Sequence, residues 1–423
     1  MNDEGGKPTT LLAEGDRPGL FEAFGVEMEL MIVDADTLSV KPVCDELMRA
    51  VAGRPEAEVE LGDIAWSNEL TLHVLELKTN GPAPRLSGLA ARFHESVRRA
   101  NAELSALGAR LMPGAMHPWM DPLRETRLWP HEYTEVYRAF DRIFGCRGHG
   151  WANLQSTHVN LPFTGDEEFG RLHAAVRLVL PLIPALAASS PFAEGRASAA
   201  LDGRLTAYRD NARRVPSVTG CVVPEPAFTR AAYEREILGR IYVDLESLDP
   251  EGVLRHEWVN ARGAIARFDR GAVEIRVIDA QECPTADIAV VAAVVAAVRA
   301  LAEGGGAERD PRQDPATEAL AAVLEQTTLN GERAVISDDA YLRLLGAPAA
   351  TATAGDVWRR LLDDNPPPDP AREWTEALEI MLDRGPLARR ILAAAGADPG
   401  RERLREVYGE LCRCLETEEP FVP

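Results

Sequence analysis

Two glutamates one residue apart, Glu27 and Glu29, sit in the run Gly25-Val26-Glu27-Met28-Glu29-Leu30-Met31-Ile32-Val33-Asp34. In a strand, alternate side chains share a face, so both carboxylates project the same way, about 7 Å apart. Two like charges held that closely call for a cation, and hard divalent cations take carboxylate oxygens. An isolated pair of this kind equally describes a half-exposed strand with two solvated glutamates. Recurrence favours the cation. Glu69 and Glu76 lie in Asn68–Thr79, His158 in Asn153–Phe163, and Glu274 with Arg276 in Gly271–Asp279. If the polar faces of these segments line one cleft, their carboxylates and imidazole suit two or three hard cations, Mg2+ above all where phosphate oxygens complete the shell. Arg276, two residues from Glu274, would face the same cleft and could neutralise a transferring phosphoryl group. His158 alone reads as a satisfied structural histidine; in this company it reads as a ligand.

The elements that must position these residues follow from pattern. In the first run Val26, Met28, Leu30 and Ile32 form the apolar face of a strand entered through a glycine. Asn68–Thr79 is rich in β-formers and stops at Asn80-Gly81-Pro82, so it reads as one strand region. Ser156, His158 and Asn160 share one face of a third strand, and Glu274, Arg276 and Ile278 one face of a fourth. Helical stripes run through Leu86, Leu89, Phe93, Val97, Ala100, Leu104 and Leu107, then Phe169–Ser189 with breaks at Pro181 and Pro184, and Pro284–Leu301. Glu257–Phe268 reads as a basic edge or loop. Strands separated by helices without regular βαβ alternation predict an α+β fold, with a sheet carrying helices on one side. Residues 1–19 read as a loose leader, 20–303 as a catalytic domain and 304–314 as a Gly/Pro/charged linker. Residues 315–423 read as a helical C-terminal segment that packs on the sheet or mediates self-association, as in a homodimer.

A net charge of −21 over 423 residues argues against nucleic acid or an anionic membrane as the main partner. Arg196, Arg204, Arg209, Arg213 and Arg214 nonetheless crowd into Ser190–Pro226, where an anionic substrate could find them. The six cysteines are scattered and form no zinc-type pair. Cys283 reads as a buried thiol. The polar start lacks the apolar core of a signal peptide, and the longest apolar run, Ile288–Leu301, is short for a membrane span, so a cytoplasmic location is expected.

Taken in order, several short motifs resemble the bacterial glutamate–cysteine ligase family, in its carboxylate–amine ligase branch. They are Gly25–Glu29, Glu69–Thr79, Gly114-Ala115-Met116-His117-Pro118, Ser156-Thr157-His158-Val159-Asn160, Ser189-Ser190-Pro191-Phe192, Ala207-Tyr208-Arg209 and Val273–Asp279. The resemblance covers about residues 20–303; nothing in the C-terminal segment adds to it. It implies a largely antiparallel sheet similar to that of glutamine synthetase, forming a cleft with helices on its outer face. It also implies ATP and Mg2+ (or Mn2+), and small-molecule substrates: an amino-acid carboxylate such as glutamate and an amine such as cysteine. Glu27, His158 and Glu274 would match the ligands of a metal on the terminal phosphate, and Glu29, Glu69 and Glu76 those of a metal beside the acceptor carboxylate. Arg276 would stabilise phosphoryl transfer, Arg209 would bind substrate or phosphate, and Arg276, Arg262 and Arg267 would hold the nucleotide. Where this branch often has a second histidine the chain has Asn160, which is left out of the metal set. Two other readings share such a sheet: a guanidino kinase, which phosphorylates nitrogen, and a binding protein without turnover.

Overall fold

The computed structural model describes residues 17–304, 310–347, 349–367, 373–396 and 398–423. The expected leader therefore lies, up to residue 16, outside the described residues, as do residues 305–309 of the expected linker.

The strands of the main sheet are β1 (Gly25–Asp34), β2 (Glu58–Leu61), β3 (Ile64–Asn68), β4 (Val74–Thr79), β5 (Ala109–Met112) and β6 (Ser156–Pro162). Beyond a small hairpin of β7 (Phe192–Ala193) and β8 (Arg196–Ala197) come β9 (Ala264–Arg267) and β10 (Ala272–Asp279). Their order is β2-β3-β4-β1-β6-β10-β9, every pairing antiparallel, and β5 pairs with the C-terminal half of β1 where β6 no longer reaches. The fold is thus α+β around one large antiparallel sheet. Glu257–Phe268, expected as an edge or loop, provides the edge strand β9.

Apolar alternation seats the sheet on its helices. Val26, Met28, Leu30 and Ile32 are buried against Phe93 and Val97 of the helix Leu89–Ser105 and against the helices Gly165–Val179 and Pro284–Glu303. The proline breaks appear as a 3-10 turn at Leu180–Leu182 before a short helix, Ile183–Ala187. Gly165–Ala187 and Pro284–Glu303 are long and apolar enough to cross a membrane, but 94% and 78% of their apolar windows are buried inside the protein. The run Ile288–Leu301 is too short for that on its own; the helix extends it at both ends, and its surroundings, not its length, make it a core helix.

Two sequence expectations need correction. Asn68–Thr79 is not one strand. After β3 the chain leaves the ladder, because Leu70 and Leu72 bond instead to Trp129 and Arg127, and it rejoins as β4 at Val74. Glu69 therefore sits on a loop. The C-terminal segment does contain strand, the two-residue pair β11 (Val335–Ile336) and β12 (Ala352–Thr353).

The described C-terminal residues are built into the core. Thr327, Tyr341 and Trp358 donate side-chain hydrogen bonds to the carbonyls of Pro181, Leu178 and Leu182. The helices Leu387–Ala395 and Arg401–Thr417 bring Leu387, Ile391, Leu404 and Tyr408 over Met31, Val33 and Met112. On β1, Met31 and Val33 continue the side that carries Glu27 and Glu29. That side is therefore polar along the first half of the strand and sealed by C-terminal helices along the second.

Candidate active site

The register of four strands builds the site. Glu27 on β1 lies opposite His158 on β6 and Lys78 on β4, Glu29 opposite Glu76 on β4, and Glu274 on β10 opposite Asn160 on β6. Directly opposed residues of adjacent strands share a face, so the pairing alone collects these groups. Glu69 joins them from the β3–β4 loop. That loop is pinned by the Thr71–Leu128 bridge and by the buried His73 ring, whose Nε2 lies 2.7 Å from the Ala152 carbonyl oxygen.

The donors form two clusters, Glu27–His158–Glu274 and Glu29–Glu69–Glu76, and in each the candidate ligand atoms all lie within 4.8 Å of one another. His158 links them. Its Nδ1 is 3.1 Å from Glu27 and 3.7 Å from Glu274, and its Nε2 is 3.8 Å from Glu29. Ser156 holds Glu29 through its backbone N–H (2.8 Å) and its hydroxyl (3.0 Å). Asn160 donates to Glu27 at 3.1 Å, so it steadies a carboxylate.

The electrostatics separate the clusters. At Glu27 burial works against the charged form, but the hydrogen bond and charge of His158 outweigh it and hold the carboxyl well below its usual range. Burial pulls the His158 imidazole down, yet Glu27 and Glu29 win and raise it. Glu69 and Glu76 are pushed up, first by burial and then by neighbouring carboxylates. A site whose buried acids resist ionisation together is one that a divalent cation would stabilise. The donor set, carboxylate oxygens with a single imidazole, suits Mg2+ or Mn2+.

Of the arginines expected here, two reach the clusters. Arg276 Nε is 3.0 Å from Glu274, and Arg267 is 3.5 Å from that carboxylate's other oxygen. Arg262 does not reach them. It is 1% exposed and spent on Glu225, the Ser217 carbonyl and Asn260. Arg209 does not either; it is exposed, 3.6 Å from Glu325, in a groove against the helix Thr317–Asn330.

Comparison with known proteins gives the family. The family profile described as glutamate-cysteine ligase family 2 matches residues 23–412. The chain belongs to that family. The match runs well past residue 303, where the motif resemblance ended, and takes in most of the C-terminal segment. An uncharacterized protein of Archaeoglobus fulgidus is 32% identical over 94% of this chain and 100% of its own length. A Rubrobacter xylanophilus protein, provisionally named glutamate–cysteine ligase 2-1, is 35% identical over 40% of this chain and 42% of its own. The region it shares with this chain is thus less than half of its length. A solved bifunctional glutathione synthetase from Pasteurella multocida superposes with a TM-score of 0.51 at 13% identity, covering 92% of this chain and 53% of that one. This last likeness is one of fold.

This glutamate–cysteine ligase family member brings two further groups to the cleft, one of them an arginine of the crowded stretch Ser190–Pro226. Arg204 and Tyr208, four apart on the helix Gly203–Arg209, line the same cavity as Glu29, Glu69 and Arg276. Arg204 bonds Asp279 and the Arg276 carbonyl, and so ties that helix to β10. The Tyr208 hydroxyl is buried and has no hydrogen-bond partner among the described residues. The signal was present: Ala207-Tyr208-Arg209 was singled out, but about 100° per residue turns Tyr208 inward and Arg209 outward. Two cavities flank the clusters. One of about 160 Å³ adjoins Glu27, with Phe24, Lys78, Thr79 and Arg270 in its wall. The other, about 260 Å³, adjoins Glu29, Glu69 and His158.

Proposed function

We propose that the protein is an ATP-dependent carboxylate–amine ligase working through an acyl phosphate. The observation that carries this reading is the pair of ligand clusters, bridged by His158, between two separate cavities. Nucleotide would occupy the cavity beside Glu27, where Lys78 and Arg270 can meet phosphates and Phe24 an adenine ring. The carboxylate and amine would occupy the cavity beside Glu29. Glu27, His158 and Glu274 would hold one divalent cation, and Glu29, Glu69 and Glu76 another. Such cations, when bound, neutralise phosphate and carboxylate charge that would otherwise oppose attack.

The chain's own residues then have assignable work. Arg276 can fork onto the oxygens of the transferring phosphoryl group while Arg267 keeps Glu274 neutralised. Ser156 and Asn160 fix the rotamers of Glu29 and Glu27. The substrate carboxylate oxygen attacks the γ-phosphorus and ADP leaves; the amine then displaces phosphate, and an amide forms. This route needs no protein nucleophile, and Cys283, buried and raised far above the ordinary thiol range by burial, supplies none. Glutamate with cysteine is the first substrate pair to offer, and the cytoplasm the expected place of action.

The test is phosphate release from ATP with Mg2+, screened over pairs of acids and amines, with products identified by mass. An amide product dependent on ATP supports the reading. A phosphorylated amine or guanidine without amide would instead identify a kinase, and no turnover with any pair would identify a binding protein.

A further inference from the structure

Resting on the ligase reading, we propose that one of the two organic substrates carries an aromatic ring or a comparably large apolar body, which the cavity beside Glu29 is built to hold. That cavity has two unlike ends. At one end stand Glu29, Glu69, Arg204, Arg276 and the Tyr208 hydroxyl, unpartnered among the described residues. At the other stand Tyr137, Phe140, Trp151, Leu154 and Trp258. Three different elements deliver the aromatic end: the helices Thr134–Phe144 and His149–Ala152 and the 3-10 turn Glu257–Val259. The rings brace one another, with Phe140 centred 5.2 Å from Trp151 and 5.9 Å from Trp258.

The polar tips of Trp151 and Tyr137 are engaged with the protein. Trp151 Nε1 donates to the Asn211 carbonyl at 2.9 Å, and the Tyr137 hydroxyl accepts from Asn68 at 2.8 Å. What these residues offer the cavity is ring surface, and all four aromatics are only partly buried. Ring faces and edges reward apolar and aromatic bodies and give little to a carboxylate. The lining cations, Arg204 and Arg276, belong to the polar end, as does the His158 ring. A glutamate side chain directed at the aromatic wall would lose its water and gain no partner. The CH2–SH side chain of cysteine would cover little of that ring surface. A carboxylate or amine on a bulky apolar body satisfies both ends.

Two arms decide which substrate carries that body. In the amine arm, glutamate is the fixed donor and alanine, cysteine, leucine and phenylalanine are the acceptors. In the acid arm, acetate, 4-methylpentanoate and 3-phenylpropanoate are the donors and hydroxylamine captures the acyl phosphate. Both use the full chain with Mg2+ and ATP, with phosphate and product mass as readouts. One arm should show kcat/KM rising about 100-fold from its smallest to its largest member, the scale on which an apolar pocket discriminates several methylenes. Flat or inverted series in both arms, with amide still formed, would overturn the inference and leave the ligase reading standing. Tryptophan fluorescence titration with phenylalanine, 3-phenylpropanoate, alanine and acetate separates the converse case. Saturable binding of an aromatic member at tenfold lower concentration than its small counterpart, without turnover of any pair, would sustain the pocket and sink the ligase reading. No such binding preference and no turnover would overturn both. Trp258→Ala should cut the aromatic preference about tenfold and Trp258→Phe should retain it; a preference untouched by Trp258→Ala in a folded variant would refute the wall as its source.

Discussion

Arg276→Lys separates a catalytic arginine from a structural one. Arg276 reaches Glu274 at 3.0 Å, and Glu274 is 4% exposed, so the ion pair itself could be the reason for the residue. The second neighbour limits that role, since Arg267 lies 3.5 Å from the other Glu274 oxygen and survives the substitution. Lysine also keeps a charge in place. The folded state should therefore lose about 1 kcal/mol or less, the scale of a partly exposed pair. For a chain of 423 residues unfolding entropy is about 0.9 kcal/mol per degree, so the melting temperature should fall by only about 1 °C. What lysine cannot reproduce is the planar fork on phosphate oxygens. If Arg276 acts on the transferring phosphoryl group, the barrier rises by about 2–4 kcal/mol, roughly 30- to 1000-fold in rate. The loss should fall on kcat, with ATP affinity little changed. Single-turnover phosphate release and a thermal melt on the same preparations give both quantities. A normal rate with a clearly lowered melting point would refute the catalytic role.

Mg2+ at about 100 times its Kd should stabilise the protein by about 2.7 kcal/mol, roughly 3 °C in melting temperature, and Glu69→Gln or Glu76→Gln should lose part of that gain; equal shifts in wild type and both variants would remove these glutamates from the metal set. Asp287, buried at the start of the helix Pro284–Glu303, is pushed up to about 7 by burial, against the bonds it accepts from Thr157 and Gln281. Its folded form keeps a proton that the unfolded chain releases, so this group costs stability progressively as pH rises from about 4 to 7. Asp287→Asn should therefore be more stable than wild type at pH 8, by about 1–4 kcal/mol, with the difference vanishing near pH 4 in denaturant titrations; a constant difference across that range would contradict the shift. Arg390→Met leaves Glu282, 1% exposed, without its cation and should cost about 3–5 kcal/mol by urea denaturation, whereas Arg390→Met with Glu282→Leu should recover much of the loss.

What the sequence showed of the site it showed through alternation. Glu27 and Glu29 could be placed on one face because a strand has period two, and the pairing with His158 and Glu274 followed once their strands were neighbours. What failed was whatever depended on partners distant in sequence. Glu69 was put on a strand because Thr71, Leu72 and Val74 favour one, but their ladder is interrupted by bonds to Arg127 and Trp129. Arg262 goes to a nucleotide on the family resemblance alone; Glu225 claims it instead, across a turn that no periodicity reveals. Helices were expected on one side of the sheet only, although Met31 and Val33 are apolar too and lie on the side of Glu27 and Glu29. Their cover comes from the helices Leu387–Ala395 and Arg401–Thr417, about 350 residues further along the chain.

That cover sets a timetable for synthesis. Glu282, just past the end of β10, is bonded to Arg390 and to the backbone N–H of Phe421, and Arg390 in turn bonds the Phe421 carbonyl. A ribosome finishes the strand carrying Glu274 and Arg276 roughly ten seconds before it reaches Phe421. Through that interval Met31, Val33 and Met112 have no lid and the acid clusters sit on a half-clad sheet. The nascent chain therefore carries an uncovered apolar surface beside its acid clusters until the helices Leu387–Ala395 and Arg401–Thr417 are made.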